Sequence, residues 1–129
     1  MAAVSCYTPH AMGTFRVQIE IGDPQGQRFE SVEALVDTGA TNTAFPASQL
    51  RGLGVSPHRR AIFELADGRQ TELEIGRTWV RVNGELEQTQ VVFTEEGSEP
   101  VLGAVTLEEF GLAVDPVKRR LVPVPRLRM

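Results

Sequence analysis

The chain has 129 residues, a length that fits one domain with a modest hydrophobic core. Hydrophobic residues make up 41% of it and charged residues 23%, as is ordinary for a soluble globular protein. The formal net charge of −4 argues against general affinity for nucleic acids or anionic membranes. A local cluster of basic residues is interpreted as a solvated strand and tail: Lys118, Arg119, Arg120, Arg126 and Arg128.

The cysteine count and the absence of long apolar runs point to a compartment. Cys6 is the only cysteine, so no disulfide can form within the chain, which fits a reducing environment. No apolar run reaches the roughly 18 residues of a membrane span, and the first residues lack the apolar core of a signal peptide. We therefore expect a cytoplasmic protein that binds neither membranes nor nucleic acids.

The N-terminal third predicts two strands joined by a turn. Residues 15–21 alternate apolar and polar side chains, which is the period of a half-buried strand. Residues 22–26 (GDPQG) have the composition of a turn. A second strand is predicted over residues 29–36, and its last three residues are continuously apolar, as in a strand buried on both faces. Asp37 is therefore predicted to lie at the end of a central strand.

The segment after Asp37 predicts turns and a short helix. Residues 38–43 are rich in turn-forming side chains. Pro46 is well placed to open a helix that reaches Leu50, because proline fits a first helical turn. Gly52 and Gly54 would end that helix.

Two β-hairpins are predicted in the middle of the chain. Asp67-Gly68 lies between the strand-like residues 61–65 and 71–75, and Asp-Gly is a strong hairpin signal. Asn83-Gly84 is a second such signal, between residues 79–82 and 90–93.

A second helix is predicted after Val101-Leu102-Gly103. Thr106 and Glu109 have the spacing of a capping box, and Gly111 suits the C-terminal stop. Two strands, residues 112–114 and 121–124, close the chain, and the prolines at 123 and 125 restrict the last one to an edge or a nonstandard pairing.

Many short strands with two short helices predict a mainly β fold, a small closed or folded-over barrel. We expect the domain to span residues 14–125, after an N-terminal segment of residues 1–13 and before a C-terminal tail of residues 126–129.

Three interpretations of Asp37 compete. Asp-Thr-Gly can be a simple turn, in which the aspartate bonds its own backbone and glycine takes a positive φ. The second interpretation is an aspartyl-phosphate nucleophile, which needs magnesium, further carboxylates and a lysine. Lys118 is the only lysine of the chain, which argues against this interpretation. The third interpretation is half of a paired-carboxylate site. Two carboxyls about 3 Å apart share one proton, so that one activates a water while the other donates a hydrogen bond to the carbonyl under attack.

The sequence around this aspartate, Leu35-Val36-Asp37-Thr38-Gly39-Ala40, resembles the active-site signature of retropepsin-like aspartic proteases. Residues 61–76, with Asp67-Gly68 at the tip, correspond in order to the flap hairpin of that family. Val101-Leu102-Gly103 with the following helix resembles its second hydrophobic-hydrophobic-glycine element. The resemblance extends over residues 15–124, most of the chain.

The resemblance implies an all-β closed barrel that acts as a homodimeric aspartic endopeptidase on peptide or protein substrates, without a cofactor. Asp37, Thr38 and Gly39 would form the catalytic loop, with the Thr38 hydroxyl bonded to the equivalent loop of the partner chain. Substrate would contact Ala40 and the flap residues Ala66, Asp67 and Gly68. Val101, Leu102 and Gly103 would support the loop from below.

A rival hypothesis keeps the dimeric barrel but makes it a non-catalytic module that binds peptides or directs assembly. The flap tip is Asp-Gly rather than the glycine-rich tip of retroviral members. No cluster of side chains has the spacing of metal ligands, so no metal site is predicted, and both His10 and His58 are interpreted as non-ligands.

Overall fold

The computed structural model of the chain describes residues 14–65 and 67–125. Within these ranges, strands are far more extensive than helices, so the predicted all-β class with short helices is confirmed. The elements in chain order are β1 (Phe15–Gly22), β2 (Phe29–Val36), β3 (Thr43–Pro46), α1 (Ala47–Gly52), β4 (Arg59–Glu64), β5 (Gln70–Val82), β6 (Glu85–Thr94), β7 (Val101–Leu102), α2 (Ala104–Phe110), β8 (Leu112–Asp115) and β9 (Arg120–Pro123).

Seven strands form the main sheet in the order β1-β2-β7-β3-β6-β5-β4. An additional pairing of Glu20 with Arg81 and of Ile21 with Val80 joins β1 to β5. Six strands therefore form a continuous circuit of hydrogen-bonded neighbours, and β4 extends from it as the outer strand of a hairpin. This circuit encloses the larger core cluster, whose bulkiest fully buried side chains include Phe45, Ile19 and Ile21.

Both predicted central hairpins are present. β4 and β5 pair antiparallel around Asp67 and Gly68, and β5 and β6 pair around Asn83 and Gly84. Asn83 and Gly84 have φ values of 52° and 82°, which are the positive angles that a tight two-residue turn between twisted strands requires.

The structure differs from the predicted strands in two places. Residues 71–75 and 79–82 belong to one continuous strand of 13 residues, because β5 runs through Gly76 without a break. A β-carbon at Gly76 would lie 3.1 Å from the Phe93 ring and from the Ser56 carbonyl, so this glycine lets neighbouring groups approach. The strand Thr43–Pro46 was not predicted, because a turn-rich segment precedes it and Pro46 ends it.

The helices begin and end close to the predicted positions, but the capping prediction for the second helix is wrong. Gly103 is the N-cap of α2 and provides no side-chain cap. Thr106 lies inside the helix and is buried, so its hydroxyl is turned toward the interior of the protein. The predicted C-terminal stop at Gly111 is confirmed, since Gly111 takes the left-handed conformation at φ 68°.

The last two strands pair only with each other in the described part of the chain. β8 and β9 form a separate antiparallel sheet in which Leu112 is opposite Pro123. The predicted edge position of the proline-containing strand is therefore confirmed. Neither described helix has the length and hydropathy to cross a membrane.

Candidate active site

The candidate site is built on the end of β2. Ala34, Leu35 and Val36 are buried, and β2 has neighbours on both sides: β1 pairs antiparallel with it and β7 pairs parallel with it. Asp37 follows directly and is only 3% exposed. The predicted location of Asp37 at the end of a central buried strand is therefore confirmed.

The loop after Asp37 is a hydrogen-bonded turn. The Gly39 N–H donates to Asp37 Oδ1 at 2.9 Å, and the Ala40 N–H donates to the Asp37 carbonyl at 3.0 Å. These contacts are what the simple-turn interpretation predicts. They satisfy only one of the two carboxylate oxygens, however, so a turn accounts for only part of the geometry.

The second carboxylate oxygen of Asp37 is the unusual feature of the loop. Oδ2 is buried and accepts no hydrogen bond from any described residue. Burial without a hydrogen-bond donor is unfavourable for a carboxylate by several kcal/mol, so the oxygen requires a partner or a proton. Thr38 and Gly39, next to it, are exposed, whereas Ala40 is 1% exposed and faces the interior.

The second predicted element, Val101-Leu102-Gly103, lies directly against this loop. Leu35 is aligned with Val101 and Val36 with Leu102, and the Asp37 N–H donates to the Leu102 carbonyl at 3.2 Å. Leu102 is fully buried in the main core, and Val101 is half-buried.

Gly103 brings two backbones together beneath the site. A β-carbon at Gly103 would lie 2.5 Å from the carbonyl carbon and oxygen of Asn42, a separation that no side chain tolerates. From the next two residues, the Ala104 N–H donates to the Ala40 carbonyl at 2.8 Å and the Val105 N–H to the Thr41 carbonyl at 3.1 Å. The first turn of α2 therefore holds the loop that carries Asp37.

The tip of the β4–β5 hairpin is closed on itself by local hydrogen bonds. The Gly68 N–H donates to the Leu65 carbonyl at 2.9 Å, and Asp67 accepts bonds from the backbone N–H and the side chain of Arg69. These Arg69 donors, the backbone one first, hold the pKa of Asp67 below its usual value. Asp67 and Gly68 are exposed, and the third predicted flap residue, Ala66, lies outside the described residues.

Sequence reasoning missed a set of polar residues beneath the loop. Thr43, Thr89 and Thr106 are buried and hydrogen-bond to one another, and Thr89 also bonds Glu109. Thr89 stands in a polar run that precedes the apolar end of β6, but it shares a strand face with Val91 and Phe93, and that two-residue spacing was the available signal. Thr106 and Glu109 were singled out in the sequence, but for a cap that the fold does not use.

An open groove of about 830 Å³ lies on another part of the surface, and none of the predicted site residues lines it. Its lining residues come from β6, α2, β8 and the segment after β9: Glu87, Gln88, Val105, Glu108, Glu109, Gly111, Leu112, Val124 and Pro125. Among the described residues, no group of three or more His, Cys, Asp and Glu side chains could hold a metal ion.

Solved structures with a similar fold include two that cover most of this chain. The protease of simian foamy virus (mac) has a TM-score of 0.54 and 18% identity, over 74% of this chain and 94% of its own. A Legionella pneumophila protein of unknown function has a TM-score of 0.53 and 15% identity, over 85% of this chain and 93% of its own. At these identities the likeness concerns the fold alone. No curated protein gives a significant match.

The family comparison covers the site itself. The model described as "gag-polyprotein putative aspartyl protease" matches residues 26–109, a range that contains the Asp37 loop, the β4–β5 hairpin and the Val101-Leu102-Gly103 element. The chain therefore belongs to this retropepsin-like aspartyl protease family.

Proposed function

We propose that the protein is an aspartic endopeptidase that works as a homodimer, with one Asp37 from each chain at a shared site. The buried Oδ2 of Asp37 carries the proposal, because no described residue satisfies it while the Gly39 N–H already holds Oδ1. A second carboxyl that shares a proton with Asp37 would satisfy this oxygen.

The proposed source of the second carboxyl is a second copy of this chain. Asp-Thr-Gly occurs once in the sequence, so one chain contains half of a two-carboxyl site. Thr38 and Gly39 are exposed on the loop, which leaves its outer side accessible to an identical loop. A two-fold axis between two Asp37 side chains is the simplest arrangement that brings identical loops face to face.

In this dimer, a water held between the carboxyls attacks the peptide carbonyl. The ionised carboxylate accepts a proton from the water, and the protonated carboxyl donates a hydrogen bond to the carbonyl oxygen. The proton then passes to the leaving amine nitrogen as the C–N bond breaks. The Gly39 N–H keeps the carboxylate oriented, so the reacting oxygens stay in place between turnovers.

The β4–β5 hairpin is the proposed cover for an extended peptide substrate. Its tip is exposed and closed by its own hydrogen bonds, so it can act as one unit. Asp67 and Gly68 are the described residues at this tip, and Gly68 has φ 88°, an angle that side chains rarely allow.

Incubation of the purified protein with an unbiased peptide mixture between about pH 4 and about pH 7 tests the proposal, because paired carboxyls function in this range. Parent protein should cleave, while Asp37→Asn should lose nearly all activity, since an amide cannot accept the proton of the water. Asp23→Asn is the matched control, because its oxygen still accepts the Gln27 and Arg28 N–H bonds of a remote turn.

The rival hypothesis of a binding module predicts a different result. In that case both the parent and Asp37→Asn would retain peptide without cleaving it. Cleavage by Asp37→Asn at more than a few per cent of the parent rate would show that Asp37 is not the catalytic acid.

A further inference from the structure

A continuous chain of hydrogen bonds crosses the interior beneath the Asp37 loop. The Gly103 N–H donates to Thr43 Oγ1 at 3.0 Å, and Thr43 Oγ1 donates to Thr106 Oγ1 at 2.5 Å. Thr106 and Thr89 are joined through their hydroxyls at 2.8 Å, and Thr89 donates to Glu109 Oε1 at 2.6 Å. All three threonines are 1% exposed.

The groups at the two ends of this hydrogen-bond chain fix which hydroxyl donates in every bond within it. A hydroxyl has one hydrogen to donate, and Thr89 donates its hydrogen to the Glu109 carboxylate. Thr89 therefore accepts from Thr106, and Thr106 accepts from Thr43. At the other end Thr43 accepts the backbone N–H of Gly103, so each hydroxyl donates once and accepts at least once.

The hydrogen-bond chain joins three elements that surround the candidate site. Thr43 begins β3, Thr89 lies in β6, and both Thr106 and Glu109 belong to α2. The first turn of α2 in turn holds the Ala40 and Thr41 carbonyls of the Asp37 loop through its backbone N–H groups. The position of α2 against the two strands therefore sets the position of the loop.

We infer that Thr43, Thr89, Thr106 and Glu109 are positioning residues, which hold the loop at the geometry that Asp37 needs. Valine has almost the same shape as threonine, so packing alone would not require three hydroxyls here. A fully satisfied buried polar network selects one arrangement of the elements it joins, whereas apolar contacts allow small shifts. The catalytic part of this inference rests on the proposed function, and the geometric part does not.

Thr106, at the centre of the hydrogen-bond chain, gives the sharpest test. Thr106→Val removes the hydroxyl that contacts both Thr43 and Thr89, and Thr106→Ser keeps it. In a peptidase assay of the full chain, kcat of Thr106→Val should fall about tenfold or more, because small misplacements of a reacting group reduce the rate by up to about a hundredfold. KM should change by less than about twofold, and Thr106→Ser should restore kcat.

Two other buried threonines separate positioning from general stability. Thr78 is fully buried and donates to the Gly22 carbonyl, which is not part of the hydrogen-bond chain. Thr78→Val should therefore lower the melting temperature but leave kcat unchanged. Thr94 Oγ1 is buried and has no partner among the described residues, so Thr94→Val should alter neither quantity adversely. An equal loss of kcat in Thr78→Val would overturn the positioning role.

Glu109, the half-buried residue at one end of the hydrogen-bond chain, gives a second test if Thr106→Val does not fold. Glu109→Gln keeps an oxygen that can accept from Thr89, and Glu109→Leu leaves the Thr89 hydroxyl without that acceptor. Activity should follow the acceptor, with Gln near the parent and Leu reduced. Equal activity of the two variants would overturn the inference.

Hydrogen exchange of the Gly103 amide reads out the geometry without catalysis. Thr106→Val should raise its exchange rate about tenfold beyond any increase that Thr78→Val causes through its lower stability, and Thr106→Ser should not raise it. If the parent protein cleaves no peptide, the proposed function fails, and the exchange rates alone decide the positioning role. Unchanged Gly103 exchange in Thr106→Val would overturn it.

Discussion

The main-chain N–H of Asp37 donates a hydrogen bond of 3.2 Å to the carbonyl of Leu102, at the point where β2 and β7 run parallel. This bond ties the candidate catalytic loop to a segment more than sixty positions further along the sequence. Gly103 follows Leu102 directly and lies against the Asn42 backbone. The segment of Leu102 and Gly103 therefore contacts the loop at its start, Asp37, and near its end, Asn42. The site is therefore only as rigid as the contact between these segments.

Gly103→Ala tests this contact. The new β-carbon would lie 2.5 Å from the carbonyl of Asn42, so the backbones must separate, and the free energy of unfolding should fall by about 1–3 kcal/mol or more. Denaturant titration measures the loss. Gly52→Ala is the matched control, because a β-carbon there meets nothing within 4 Å and alanine favours the end of α1. Equal stability of the two variants would show that the close approach at Gly103 is not important.

Thr38→Ala tests the proposed dimer interface. If each Thr38 hydroxyl bonds the partner loop, its loss should weaken the dimer by about 1 kcal/mol per hydrogen bond, which is roughly fivefold in Kd for each bond. Analytical ultracentrifugation over a concentration series measures this change. Thr41→Ala, at a second exposed threonine just after the catalytic signature, should leave Kd unchanged. A dimer affinity unaffected by Thr38→Ala would exclude the interface role.

The two-chain mechanism predicts a dependence on concentration. Cleavage rate per chain should fall when the protein is diluted below its dimer dissociation constant, by mass action. An about ninefold excess of Asp37→Asn chains should leave roughly one tenth of parent chains in parent dimers, with a matching loss of activity. An equal excess of Asp23→Asn should not inhibit. Constant specific activity from a sample shown to be monomeric would contradict the mechanism.

The tip of the β4–β5 hairpin should respond to acid. The Arg69 donors lower the pKa of Asp67 in the folded chain, so the ionised carboxylate stabilises the tip at every pH above the pKa of the unfolded carboxyl. That stabilisation is lost as pH falls through the lower, folded value. The chemical shift of the Arg69 amide should therefore titrate with a midpoint below 3.8, the usual value for aspartate.

Arg69→Ala divides this effect between its causes. The variant removes the side-chain bond to Asp67 and retains the backbone N–H bond, so the midpoint should rise only part of the way to the usual value. A parent midpoint at or above 3.8 would show that these bonds do not form in solution.

Several features of the fold could be predicted from local sequence because short-range rules govern them. Three consecutive apolar residues before Asp37 indicate a strand buried on both faces, and the structure places Asp37 at the end of such a strand. Asn83-Gly84 suits the positive φ angles of its turn, and Gly111 suits the left-handed stop of α2. Each of these signals depends on neighbouring residues alone.

Other features could not be predicted, because local preference points elsewhere. Thr106 and Glu109 have the spacing of a helix cap, yet burial against Thr43 and Thr89 turns the threonine inward. The glycine at position 76 suggests a strand break, yet hydrogen bonds to β6 on one side carry β5 through it. In both places tertiary contacts outweigh a local propensity of about 1 kcal/mol or less.

The candidate acid, the strand that delivers it and the family resemblance of the surrounding motif can all be read from the residues around Asp37. The three-dimensional packing was needed to show that one oxygen of Asp37 is held and that the other has no partner among the described residues. The bond between Thr43 and Thr106, across 63 positions of sequence, likewise emerges only from the folded domain. Both properties depend on the positions of atoms from segments far apart in the chain, and packing of the whole domain fixes those positions.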